Sequence, residues 1–158
     1  MTEEVPPTLY EWAGGGAVLE ILSTTFYKKV LADPLLFPVF QHMPPDHPKH
    51  VAAFIGEVLG GPATYSAERG GHPVMISHHL GRALNEEKRS RWMALLLQSA
   101  DEVGLPDDPE FRSAFVAYIE WGSRLAVINS QPGADGPEPT APMPKWGWGV
   151  VGGPYKKE

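Results

Sequence analysis

Gly71-His72-Pro73-Val74-Met75-Ile76-Ser77-His78-His79 carries three of the chain's six histidines in nine residues and closes on a His-His pair. Apolar, helix-forming segments flank it on both sides. An imidazole can be a metal ligand, a proton shuttle or a core residue, and each role needs different surroundings. The spacing predicts a short helix from Pro73 to His79, followed by a connection over 80–84. Adjacent helical residues point about 100° apart, so His78 and His79 cannot both face one centre.

Upstream, residues 1–13 read as a short polar lead ending in Tyr10-Glu11-Trp12-Ala13, and Gly14-Gly15-Gly16 opens a helix predicted from Ala17 to Ala32. Leu19, Phe26 and Val30 recur on it at helical spacing, beside Tyr27 and Leu31. Asp33-Pro34 reads as a cap and first turn of a short helix through Leu35, Leu36 and Phe37, interrupted by Pro38 and closed by Phe40. Asp46-His47-Pro48 can cap the next helix, on which Val51, Phe54 and Val58 share a face with His47 one turn earlier. Gly60-Gly61-Pro62 stops it, and residues 63–71 read as polar and irregular, with Tyr65 and Arg69 as functional candidates.

Downstream, Asn85 caps a helix whose first turn holds Glu86 and Glu87 and which runs to near Gly104 through Trp92, Leu95, Leu96 and Leu97. Asp108-Pro109 opens a last long helix to about Asn129, with a broad apolar stripe from Phe111 to Ala126. These two should pack as an antiparallel pair. Residues 130–158 differ: six prolines and six glycines occur in 29 residues. Trp146, Trp148 and Tyr155 are costly to expose, so part of this tail should lie against the domain or a second subunit, a homodimer. The division is a domain over 1–129 and an extension over 130–158.

Composition narrows the chemistry. The 158 residues suit one domain, and 42% are apolar, enough for a core. A formal charge of −6 disfavours a general nucleic-acid binder. With no cysteine there are no disulfides, iron–sulfur clusters, thiol catalysis or cysteine zinc sites. No run approaches the roughly 18 apolar residues of a membrane span. The acidic start Met1-Thr2-Glu3-Glu4 is unlike a secretory signal, so a cytoplasmic location is expected.

Several chemistries lack their signatures. There is no phosphate loop, no dinucleotide fingerprint and no HExxH. His47 and His50 could share a zinc ion, but no well-placed carboxylate completes the site. No nucleophile elbow accompanies His79 as a base. A haem slot needs one axial nitrogen, a large apolar space and a few polar groups. The residues can supply them: His79 as ligand; Phe40, Val51, Phe54, Met75, Ile76 and Trp92 as walls; Tyr27 and Trp92 as donors; His50, Tyr65, Arg69 and His78 toward carboxylates. A helical bundle with core aromatics would look similar.

The order and spacing of further features resemble the truncated haemoglobins, in particular their group II class. The features are Tyr10 with Gly14-Gly15, Phe26-Tyr27, Leu31-Ala32-Asp33-Pro34, Phe40, Gly60-Gly61-Pro62, Tyr65, Gly71-His72-Pro73 and His79, with Trp92 thirteen residues later. The resemblance covers about Tyr10 to Asn129. It implies an all-α, two-over-two helical sandwich around haem b, with the Pro/Gly/aromatic tail as an addition. It implies His79 as proximal iron ligand, Tyr27 as distal tyrosine and Trp92 as the class-marking tryptophan. Phe40 stands where the class often has tyrosine, and His78 where it often has arginine toward a propionate. The main distal-helix positions fall at His47 and Val51. His47 can point inward and donate to a ligand, coordinate iron, or face solvent.

The function so implied is reversible binding of O2, CO or NO at a five-coordinate iron. Strong distal donors slow O2 release, which suits bulk oxygen transport poorly and suits sensing, NO conversion or redox work better. Peroxidase, NO dioxygenase-like or sulfide-binding activity, with peroxide as ligand and an unknown reductase as partner, is the alternative within the same family. A non-catalytic helical interaction module, with the aromatic tail as its partner surface, is the alternative outside it.

Overall fold

The structure is a computed structural model and describes residues 6–69, 71, 82–133 and 143–149. Among these residues the regular elements are all helices: α1 (Leu9–Ala13), α2 (Gly16–Ala32), α3 (Phe37–Phe40), α4 (His47–Val58), α5 (Thr64–Arg69), α6 (Glu86–Glu102) and α7 (Pro109–Asn129). None of them is long and apolar enough to cross a membrane.

Local chemistry explains most boundaries. The Thr8 hydroxyl accepts from the Glu11 amide at 3.0 Å while the Glu11 carboxylate reaches back to the Thr8 amide at 3.4 Å. This reciprocal cap starts a helix inside what reads as a polar lead. Gly14, at φ 111°, ends that helix in the left-handed region. α2 begins at Gly16, one residue before the expected start, and ends at Ala32 as expected. Asn85 accepts from the Lys88 amide at 2.9 Å and Asp108 from the Phe111 amide at 3.0 Å, so both long C-terminal helices carry the anticipated caps.

Four local expectations fail. Asp33 Oδ1 accepts from the amides of Leu35 (2.9 Å) and Leu36 (3.2 Å), which closes a turn, and the helix starts only at Phe37. Pro38 lies in its first turn, where no amide is needed, and so opens the helix instead of interrupting it. Asp46 makes no side-chain cap; its carboxylate stands 3.5 Å from His50 Nε2, one turn along α4. Residues 64–69, read as irregular, form α5. α5 is held to α4 by the buried Glu57 carboxylate, which accepts from the Ser66 amide (2.8 Å) and hydroxyl. That tertiary bond, not local propensity, secures a helix this short.

α2 packs on α4 and α6 on α7, and α2 also meets α6, which makes the two-over-two sandwich. Leu19, Leu22, Phe26 and Val30 of α2 are buried against Phe54, Ile55 and Val58 of α4, and Leu96, Phe111, Phe115 and Ile119 complete the core. Close approach sets the α1–α4 corner. A Cβ on Gly61 would stand 2.6 Å from Tyr10 Cδ2, and Gly60 turns the chain at φ 99°.

The tail returns to the helices. The Trp146 amide donates to the Val58 carbonyl at 2.8 Å, satisfying an orphan carbonyl at the end of α4. The Trp146 ring lies 5.7 Å from Tyr118 and from Trp121. Trp148 donates its indole N–H to the Pro7 carbonyl at 2.7 Å and meets Trp12 edge-on at 5.8 Å. Tyr155 lies outside the described residues.

Asp33 ties the α2–α3 turn to α6, since its Oδ2 lies 2.7 Å from Arg91 Nη1. Burial of this carboxyl favours its neutral form. The hydrogen bonds from Arg91, Leu36 and Leu35, with the Arg91 charge, outweigh that and leave its pKa below the ordinary 3.8. A carboxyl more acidic folded than unfolded adds stability above its unfolded pKa, and this is lost as pH falls through the lowered folded value. Asp33→Asn should therefore lower stability at pH 7, and the gap from wild type should shrink below about pH 4. Urea unfolding across that range checks it; a gap independent of pH would remove the charge from the account.

Candidate functional site

Between α3, α4 and α5 on one side and α6 and α7 on the other lies a cavity of about 550 Å3. That is within the range of small-molecule and cofactor pockets, roughly 300–1,000 Å3. Tyr27, Phe40, His47, His50, Val51, Phe54, Tyr65, Arg69 and Trp92 all line it. These candidates come from separate helices, and the fold brings them together around one space. Met75, Ile76, His78 and His79, together with His72, lie outside the described residues.

Tyr27 sits on the buried face of α2, and its hydroxyl lies 3.1 Å from His47 Nε2. Its ring meets Phe26 at 4.8 Å, His47 at 5.0 Å and Phe40 at 5.7 Å, all edge-on. Phe26 in turn meets Trp92 edge-on at 5.4 Å. Interlocked rings of this kind leave a side chain little rotational freedom. Burial pushes the Tyr27 hydroxyl above its ordinary pKa, so it is a neutral phenol and a proton donor. His47, partly buried, turns its ring inward from the first turn of α4. Val51 and Phe54 follow along α4 and present only carbon to the cavity.

Tyr65, placed on α5 by the Glu57–Ser66 bonds, is 1% exposed and packs edge-on against Phe54 at 5.0 Å. Its hydroxyl has no hydrogen-bond partner among the described residues. Burial raises its pKa, while the neighbouring Arg69 guanidinium pulls it back down. A buried phenol beside a guanidinium suits an anionic oxygen. Arg69 and Arg82 are exposed and Lys88 half-buried where they border the cavity, so cationic groups gather on its margin despite the acid balance of the chain. Among the described residues no three His, Asp or Glu side chains come together as a metal site.

Sequence reasoning missed the wall opposite α4. Tyr118, Trp121, Gly122, Leu125 and Val127 of α7 line the cavity, as does Arg89 of α6. The α7 residues read as packing stripe; the signal available was Gly122, which leaves room within that stripe. Arg89 is 8% exposed and binds Glu86 (2.5 Å), Glu120 (3.0 Å) and Ser123 (3.3 Å). The Glu86 bond leads in holding its pKa above the ordinary arginine value. This cluster locks α6 to α7 behind the cavity.

The arrangement has known counterparts. The bacterial-like globin family matches residues 8–120. The group 2 truncated hemoglobin YjbI of Bacillus subtilis is 31% identical over 117 residues, 74% of this chain and 86% of that one. The chain belongs to the truncated haemoglobins, in their group II class. Solved structures agree. The group II truncated haemoglobin of Bacillus anthracis superposes with a TM-score of 0.71 at 27% identity, covering 78% of this chain and 93% of that one. The truncated oxygen-avid haemoglobin of Bacillus subtilis gives 0.68 at 30% identity, covering 77% and 99%. The family match ends within α7, so the tail and its contacts in this truncated haemoglobin lie beyond it.

Tyr65→Phe removes a hydroxyl that has no partner among the described residues. With any bound group stripped, the variant should be as stable as wild type to within about 0.5 kcal/mol, or more stable. Chemical denaturation measures this, and a loss beyond about 1 kcal/mol would reveal a partner for the hydroxyl.

Proposed function

We propose that this truncated haemoglobin holds haem b in the α3–α7 cavity and reversibly binds O2 and other small diatomic gases at a five-coordinate iron. Membership of the family supports haem and oxygen binding in general. The observation that carries the finer reading is a cavity lined by a phenol and an indole, Tyr27 and Trp92, with cationic groups at its margin. The lining fits the group. Val51, Phe54 and Phe40 offer apolar contact to a macrocycle, and the Tyr65 hydroxyl, Arg69 and His50 offer donors to its carboxylates. His79 is proposed as the axial ligand on the family register, with Met75, Ile76 and His78 nearby in sequence.

When bound, ferrous haem would supply the iron at which a diatomic gas is held. The chain's part is to shape what surrounds it. Tyr27 is a neutral donor whose ring is held by other rings on several sides, so its hydroxyl stays beside the cavity. Trp92 offers a second N–H from α6. Val51 adds no hydrogen bond, and Phe40 adds none where the class often has tyrosine. Donors of this kind retain a polarised ligand, consistent with a relative described as oxygen-avid.

The test is spectroscopic and kinetic. Haem-supplied protein should show ferric, ferrous and CO spectra of a histidine-ligated haem, and His79→Ala should lose that axial signature. Tyr27→Phe should release O2 faster by about 5- to 150-fold, the equivalent of 1–3 kcal/mol. Colourless protein after full haem supply defeats the whole reading, and an unchanged release rate defeats the role of Tyr27.

We further propose that residues 1–129 are the globin domain and 130–158 an extension strapped across it through Trp146 and Trp148. Ending the chain at Asn129 removes both half-buried indoles. It should cost about 1–3 kcal/mol of stability while leaving the haem spectrum in place. Loss of the spectrum would make the tail part of the domain.

A further inference from the structure

We infer that His47 positions the Tyr27 proton: His47 Nε2 accepts it, and so competes with a ligand in the cavity for the same donor. This rests on the gas-binding reading above and concerns how that site is tuned. The hydroxyl and Nε2 are 3.1 Å apart, and the two rings meet edge-on at 5.0 Å. A hydrogen bond at this distance can run either way, and the chemistry of the two groups sets its direction. A phenol is a strong neutral donor and a weak acceptor, because its oxygen lone pair is shared with the ring. A neutral imidazole nitrogen without a proton is a strong acceptor. The favoured arrangement is O–H donating to Nε2, with the imidazole proton on Nδ1. The alternative, Nε2–H donating to the phenol oxygen, pairs a weaker donor with a weaker acceptor. Burial keeps Tyr27 in its neutral form, so it retains the proton it shares.

The backbone holds His47 in place for this role. Its amide donates to the Pro44 carbonyl at 3.0 Å, which closes the turn that opens α4. Phe40 stands 6.5 Å away across the cavity wall. A ligand that takes the Tyr27 proton must first break the bond to Nε2. His47 therefore weakens ligand retention. A histidine that itself donated to the ligand would strengthen it, so the two roles differ in sign.

The experiment measures O2 dissociation at pH 8, where an ordinary imidazole is neutral, for haem-loaded wild type, His47→Leu, Tyr27→Phe and the double variant. His47→Leu should slow release by about 2- to 10-fold, the worth of one neutral hydrogen bond. In the Tyr27→Phe background the same substitution should do nothing, because the proton in dispute is gone. A role confined to packing would act in both backgrounds. His47→Gln, which restores an acceptor, should return release toward wild type. Nitrogen-15 NMR of the labelled imidazole supplies a readout apart from ligand kinetics. It should show Nε2 without a proton, and its resonance should move in Tyr27→Phe. A protonated Nε2, or unchanged or faster release in His47→Leu, overturns the inference. If Tyr27→Phe does release O2 faster while His47→Leu also does, the gas-binding role of Tyr27 stands and only this inference falls. If Tyr27→Phe changes nothing, both fall.

Discussion

A phenol hydroxyl set into an apolar wall is stabilised by a partner, and at Tyr27 the partner is His47. That bond joins the middle of α2 to the first turn of α4 at the edge of the cavity. Everything that makes the cavity a chemical site follows from it. The two helices must pack closely enough for the ring and the hydroxyl to meet, and their remaining faces must leave space below. Phe26 and Phe40 close around the pair and limit its freedom, and Trp92 backs Phe26.

The rest of the fold holds that geometry by tying its margins. Asp33 fastens the turn after α2 to Arg91 on α6. Arg89 fastens α6 to α7 through Glu120 and Ser123. Glu57 fastens α5 to α4. The tail fastens the end of α4 to the aromatic face of α7 through the Trp146 amide and ring. Each tie is polar or aromatic and sits at an edge, while the centre is left to apolar contact. A small helical protein can in this way keep a large cavity without surrounding it with a large core.

Sequence patterns were legible where one short-range force decides. The caps at Asn85 and Asp108, the stop at Gly60-Gly61 and the apolar stripes of α2, α4 and α7 are such places. They were misleading where a distant group intervenes. α5 reads as loop because its helix depends on Glu57 from the preceding element. Asp46 reads as a cap but turns to His50 instead. Pro38 reads as a break, yet begins a helix because Asp33 has already closed the turn before it. The α1 capping box is the exception: Thr8 and Glu11 form a purely local signal three residues apart inside what otherwise reads as a polar lead. Candidates for the site were readable as residue types, and the family resemblance supplied their order.

By itself the sequence determined the all-helical class, most helix boundaries, the family and the identity of the candidate donors, because periodicity, caps and motif spacing are local properties of the chain. Only the tertiary structure decided that His47 turns inward to Tyr27, that the Tyr65 hydroxyl is buried beside Arg69, and that α7 forms the opposite wall. Those outcomes depend on which faces of distant helices meet. That choice is made by burial summed over the whole molecule, and no single stretch of residues contains it.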